Sequence, residues 1–312
     1  MLTYDQVVQT VHINSAEELF HIISPLDKQY DLMNKDFMFR GEESDRYSLL
    51  PTALRPLNRS VVNKLANGVD LESGADVENV IESNQRSNEY KILRKFFVKS
   101  DYVGLQIPHV DFLRENMYSY YKAPYFVREW LPSSFYELAG LAQHYGLPTR
   151  LLDWSLDPFV SLYFASKGAL NHDRVDESMV LWALHRPLFD FYKEFELPLQ
   201  IINPPYSGNP NLRAQKGVFT HWKNENFEED VLSDRKVDRT PLDIQIHKYL
   251  SKEESFQKNL RIIMYKFIIP HQAAKNIFKA LNTLNYNAST IFPGFEGISR
   301  TIEEETLIPL IY

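Results

Sequence analysis

Four arginines, Arg40, Arg55, Arg150 and Arg213, stand in short segments that mix aromatic, turn and polar residues. A guanidinium is a rigid fork of donors matched to phosphate or carboxylate, so these residues predict a site for an anionic ligand such as a nucleotide or a phosphate. The alternative is internal: a buried charge needs a partner, and Asp153 is a counter-ion open to Arg40 or Arg150. His144 is the acid/base candidate, because an unperturbed imidazole titrates at ~6.5, near cellular pH. In the last turn of a helix the same ring can instead cap carbonyls. Tyr145 reads more as packing than as catalysis and is kept as a ligand contact. Asp153 stands where it could orient His144 or an arginine. Trp154 could lend a stacking face to a base, or sit in the core with its N–H satisfied.

Other chemistries find no support. Without cysteine there is no disulfide, no thiolate nucleophile and no Cys-ligated zinc. Ser155 lacks a Gly-x-Ser-x-Gly elbow, and neither a Walker A sequence nor a G-x-G-x-x-G turn occurs. Nine histidines form no H-E-x-x-H pair, so no metal is expected. The 34 Lys and Arg against 41 Asp and Glu leave a net charge of −7, which disfavours a general nucleic-acid coat and leaves room for a local basic groove. The acidic run Glu225 to Asp230 reads as a solvated face. No stretch approaches the ~20 consecutive apolar residues of a membrane span. Asp5, Glu17 and Glu18 stand where a signal peptide would be basic and then apolar, so the expected location is cytoplasmic, with no membrane contact. With 44% hydrophobic and 24% charged residues, the chain has ample material for a buried core.

The elements that would position these groups follow from local pattern. Ser15 with Glu18 has capping-box spacing, predicting a helix from Ala16 towards Tyr30. Residues Asp36 to Arg40 read as a strand with Phe37 and Phe39 on one face, ending where Gly41 allows a sharp turn. Pro56 to Val77 reads as a loop, and Val77 to Lys99 and Phe112 to Trp130 as helical layers. Ser134 and Glu137 predict a second capping box, for a helix ended by Gly146 and Pro148, with His144 and Tyr145 in its last turn. Asp157 is the N-cap and Pro158 the first residue of the next helix, so two helices bracket one short polar segment. Ser178 to His185 and Arg261 to Ile269 read as strands, Ala273 to Leu284 as an amphipathic helix, and Thr306 to Tyr312 as a final strand.

Three segments resemble the FRG domain: Phe39-Arg40-Gly41 with Leu49-Leu50-Pro51 and Arg55; the block LAQHYGLPTRLLDWSLDPFVSLYFA from Leu141 to Ala165; and Asn211 to Phe219, which fits N-x-R-x-Q-x-G-x-F. A shorter match is Ile291 to Gly297. The resemblance implies an α+β fold, a mixed central sheet flanked by helices. Residues 1–312 would form a single FRG-type domain with a mainly helical insertion at approximately 56–130. The order of an aromatic-Arg-Gly strand, a polar segment leading into a helix, and a Gln element is also similar to that of ADP-ribosyltransferases, which use NAD without a Rossmann fold.

That second resemblance implies that Arg40 and Gly41 grip a phosphate or ribose of NAD, that Thr149 to Ser155 frame the nicotinamide, and that Gln215 bonds a ribose hydroxyl. An oxocarbenium-like sugar asks for a placed carboxylate, which Gln215 cannot supply. Asp153 and Glu296 are the candidates, and Glu296 could equally serve a helix start near Gly294. The expected function is an ADP-ribosyltransferase-like enzyme with NAD as co-substrate. Its acceptor would be nucleic acid or protein, in a toxin or defence setting and with a regulatory protein partner. The alternatives are a non-enzymatic module binding a nucleotide or phosphate, and a structural or interaction protein.

Overall fold

The computed structural model describes residues 2–33, 36–68, 78, 80, 84–118, 130–171, 177–187, 197–223, 237–252 and 262–307. Among the described residues seven strands make one mixed sheet: β1 (Val8–His12), β2 (Phe37–Glu42), β3 (Leu152–Ser155), β4 (Ser178–His185), β5 (Leu199–Ile202), β6 (Gly217–Trp222) and β7 (Met264–Pro270), in the order β1-β7-β4-β2-β3-β6-β5. Only β1 and β7 run parallel; the other neighbours are antiparallel. The helices among the described residues are α1 (Tyr4–Val7), α2 (Ala16–Ile22), α3 (Arg59–Asn67), α4 (Gln85–Tyr102), α5 (Asp111–Glu115), α6 (Tyr136–His144), α7 (Pro158–Leu170), α8 (Pro210–Ala214), α9 (Leu242–Leu250), α10 (Ala274–Thr283), α11 (Ala288–Ile291) and α12 (Phe295–Glu305). The fold is α+β.

Both faces of the sheet are covered, which is why β4 is an unbroken apolar run with six consecutive buried residues, Met179 to Leu184. Phe37 and Phe39 point to the layer that holds α2, α7 and α10, together with Phe267 and Ile269. Met38, Trp154, Trp182 and Met264 point to the other layer, against Leu242 and Ile246 of α9. The period of two in β2 therefore reads correctly from sequence, but its end does not. The strand continues through Gly41 to Glu42, paired with β4 all the way. Gly41 is required by packing instead of by a turn: a Cβ there would lie 1.8 Å from the carbonyl oxygen of Ser161, because α7 crosses directly over the strand.

Other boundaries moved for physical reasons. Ser15 caps α2 as expected, its hydroxyl accepting from the Glu18 amide at 3.2 Å, but the helix stops at Ile22. The second capping box does not form. A 3-10 turn at Ser133–Phe135 leads into α6 with no side-chain cap, and Gly146 at φ 83° ends that segment. Asp157 does cap α7, accepting from the Phe159 amide at 2.9 Å with Pro158 at the first position. The short polar segment between α6 and α7 is strand β3, an interior strand between β2 and β6. Within the stretch expected to be a loop, α3 forms on a buried face of Val62, Asn63 and Ala66 and ends at Gly68, φ 76°. Glu225 to Asp230 and the last five residues of the proposed final strand lie outside the described residues, and Thr306 caps α12.

The helices between 56 and 130 are joined to the sheet by a buried ion pair. Glu89 of α4 accepts from Arg150 Nε at 2.7 Å and Nη2 at 3.0 Å, from Trp130 Nε1 at 2.5 Å and from Gln85 Nε2 at 2.8 Å. Both charged side chains are 3% exposed, so the carboxylate survives burial only because these four donors replace its hydration. Around them Tyr90, Phe97, Trp130, Phe135, Leu138 and Phe219 close one apolar cluster shared by α4, α6 and β6. His221 of β6 lies beside it, fully buried. Its Nε2 accepts from the Leu131 amide at 3.3 Å, and burial, followed by the positive Arg150 and Lys223, pushes its pKa down to about 3.

Three outcomes follow. Gly41→Ala should lose about 3 kcal/mol or more in urea unfolding, since the obstructing atom is backbone. Arg150→Met alone should cost roughly 3–5 kcal/mol by stranding Glu89, and the paired Glu89→Leu/Arg150→Met chain should recover most of that. For His221 the unfolded chain binds a proton below pH 6.5 and the folded chain does not until about pH 3. Its contribution is therefore lost as pH falls through that window, at up to about 1.4 kcal/mol per pH unit. Stability measured against pH should show a steeper acid slope for the wild type than for His221→Gln.

Candidate functional site

The sheet has a seam. β2 follows β4 along its whole length and β3 follows β6, but β2 and β3 share a single register pair, Phe39 with Ser155. Beyond that pair the strands part, and a cleft of about 410 Å³ opens over the seam. Its floor is Phe39 to Gly41 and Asp153 to Ser155, and its sides are the end of α6, the first turns of α7, the turn from α8 into β6, and Phe292.

Arg40 spans the gap. Its Nη1 donates to the Asp153 carbonyl at 2.9 Å and to Asp153 Oδ2 at 2.8 Å, and its Nε donates to Glu42 Oε1 at 2.7 Å. Burial alone would lower the guanidinium pKa, but Glu42 and then Asp153 more than offset it, and the pKa is raised. Of the two arginines that the sequence offered to Asp153, Arg40 takes it and Arg150 takes Glu89 instead. Asp153 alternates with the buried Leu152 and Trp154 along β3, so its carboxylate stays 54% exposed at the cleft.

His144, the final residue of α6, lines the same cleft. Its Nε2 meets Asn211 Nδ2 at 2.9 Å, so with the amide donating, the ring is neutral and carries its proton on Nδ1. Burial lowers its pKa, against a smaller upward pull from Glu296. Next to it Gln143 accepts from the Thr149 hydroxyl. Ser155 donates to the Gln215 carbonyl at 2.7 Å and accepts from the Asp157 amide at 3.0 Å, holding the α8 turn to the seam. Gln215 donates to the Ile291 carbonyl at 3.4 Å. Phe292 is brought to the wall by α12, whose buried Glu304 accepts from the Tyr163 hydroxyl, Lys167 Nζ and the Ala288 amide.

The structure thus brings together Arg40, Gly41, His144, Asp153, Trp154, Ser155 and Gln215. Trp154 offers no open stacking face: its side chain is in the core, 3% exposed, with Nε1 donating to Thr220 Oγ1 at 2.9 Å. The arginines do not converge. Arg55 donates to the Leu50 carbonyl at 3.2 Å, Arg150 is committed to Glu89, Arg213 is exposed on α8, and none of the three lines the cleft. Tyr145 is 69% exposed beyond the end of α6. Thr149 is buried behind Gln143. Glu296 sits in the first turn of α12, paired with Arg300 at 2.6 Å. Its role as a helix-start residue was one of the two readings, and the cleft wall does not include it.

Residues not anticipated for the cleft are Thr52, Gln143, Ser161, Phe164, Phe219 and Phe292. A signal existed for several. Gln143 precedes His144 in the long block, Ser161 and Phe164 are three apart on one face of α7, and Phe219 ends the Asn211 element. Among the described residues no group of three or more His, Cys, Asp or Glu could hold a metal ion, and no helix is long and apolar enough to cross a membrane.

Residues 35–174 match the model of the FRG domain. Comparisons with curated proteins and with solved structures give no match. The matched span contains both sides of the seam, β2 with Arg40 and β3 with Asp153, as well as Gln143, His144 and the first turns of α7. The chain therefore carries an FRG domain, at residues 35–174, with the seam and its arginine inside it.

Proposed function

We propose that the cleft is the catalytic site of an ADP-ribosyltransferase-like enzyme that takes NAD as co-substrate and modifies a macromolecular acceptor. The observation that carries this reading is Asp153: a half-exposed carboxylate, held at a fixed place by Arg40, facing a cleft walled by Phe164, Phe219 and Phe292. When nicotinamide departs with the bonding electron pair, positive charge develops on the ribose, and a fixed carboxylate stabilises it without reorganising. The volume suits a ligand of this class, and aromatic walls with a few fixed polar groups are what such a ligand needs.

Arg40 acts differently here from a phosphate clamp. Two of its nitrogens are spent on Glu42 and Asp153, and Nη2 is the one left for a ligand oxygen among the described residues. His144 would take the acceptor's proton at Nε2 by exchanging its Asn211 contact. The nature of the acceptor, nucleic acid or protein, and the toxin or defence setting rest on the resemblance alone.

The second reading is a non-enzymatic module that binds a nucleotide-like ligand. It is favoured by the engagement of His144 Nε2 with Asn211 and of Asp153 Oδ2 with Arg40. Nicotinamide release from NAD, measured beside calorimetric binding, separates the two. The wild type should release nicotinamide, and Asp153→Asn, checked by its melt, should lose at least about 100-fold in rate while still binding NAD. Binding without turnover in the wild type would favour the second reading, and no saturable binding of NAD would sink the first.

A further inference from the structure

We infer that Gln143 is the specificity-determining donor of the cleft, presenting its side-chain NH₂ to a carbonyl oxygen of the ligand, the carboxamide of the nicotinamide ring, with Thr149 as its positioning residue. The inference rests on the NAD reading above and names the group that recognises the ring. An amide side chain carries an acceptor at one end and donors at the other, and it recognises nothing until something decides which end faces the ligand. Here the decision is made by a chain of bonds that starts at the backbone. The Leu151 amide donates to Thr149 Oγ1 at 3.2 Å. That leaves the hydroxyl one lone pair and its hydrogen, and in the structure the hydrogen goes to Gln143 Oε1. With Oε1 turned to Thr149, Nε2 is the end left for the cleft, and it has no acceptor among the described residues.

The fixing elements do not give. Thr149 is buried, so no bulk water competes for its hydroxyl, and its carbonyl is held by the Ala53 amide at 3.0 Å. The other polar groups of the cleft do not supply the same function. Gln215 Nε2 is committed to Ile291, Arg40 Nε and Nη1 are committed to carboxylates and a carbonyl while its Nη2 is cationic and suits an anionic oxygen, and His144 presents an acceptor at Nε2 with its proton on the far nitrogen of the ring. The Thr52 and Ser161 hydroxyls can rotate between donating and accepting, so they do not discriminate. Gln143 is thus the one side-chain amide among the described cleft residues whose NH₂ is uncommitted and whose direction is set by the protein.

A cycle that changes the donor on the protein and the acceptor on the ligand tests this directly. The probes are NAD and its analogue with hydrogen in place of the pyridinium 3-carboxamide, titrated calorimetrically into wild type, Gln143→Met, Thr149→Val and Thr149→Ser. Gln143→Met should weaken NAD by about five- to tenfold, the size of one neutral hydrogen bond, and leave the analogue unchanged. Thr149→Val should weaken NAD in the same selective way, and Thr149→Ser, which keeps the hydroxyl, should restore it. Equal losses for both probes, or no loss for NAD, would overturn the inference and leave the NAD reading standing. A wild-type protein that binds neither probe would overturn both.

Discussion

Arg40 bridges two half-sheets that would otherwise meet at one residue pair, and much else depends on that bridge. A guanidinium in this position is largely shielded from water, so it needs acceptors, and the chain supplies Glu42 from its own strand and Asp153 from across the seam. A charge-assisted bond of this kind contributes roughly 1.5–3 kcal/mol when buried, as the one to Glu42 is, and less where solvent screens it, as at the half-exposed Asp153. The bridge does two things at once: it ties β2 to β3 where their ladder has failed, and it fixes the direction of the one exposed carboxylate in the cleft. A seam with full ladder pairing would be stronger and would leave no opening between the strands.

A second buried pair performs the matching task for the helices on the other side. Glu89 on α4 and Arg150 just before β3 are each costly alone and tolerable together, and Trp130 and Gln85 complete the hydration shell that burial removed. Arg150 and Asp153 are three residues apart, so one short stretch of chain meets both pairs. The segment 149–153 holds Gln143 through Thr149, anchors α4 through Arg150 and closes the seam through Asp153. Motif density there reflects several independent mechanical tasks as much as ligand contact, and for that reason a motif arginine need not be a ligand arginine.

Local pattern carried much of this fold. The alternation in β2, the cap and proline that open α7, the continuous apolar run of β4 and the amphipathic α10 are all decided by neighbours within a few residues, and they were legible. The elements that were not legible are those whose stability comes from elsewhere. β3 is four residues long and polar in part, and only its place between β2 and β6 makes it a strand. α3 carries Asn63 on a face that is buried because α4 lies against it, with Asn67 donating to Asn63 at 2.9 Å and to Asn88 at 3.1 Å. Gly41 was conspicuous in the sequence, but its reason, a helix backbone too close for a Cβ, belongs to residue 161.

The sequence by itself determined which residue types were available: an aromatic-Arg-Gly strand, a block with a glutamine, a histidine and two aspartates at defined spacing, and no thiol or metal-ligand pair. Spacing along the chain is a local property, and these facts need nothing beyond it. The tertiary structure alone decided how they divide. It sent Arg150 to Glu89, left Arg55 and Arg213 outside, turned Trp154 into the core and left Asp153 exposed. Each of those outcomes depends on a partner contributed by a distant part of the chain, and the free energy of a buried charge or an oriented amide is set by that partner, not by the residue's own neighbours.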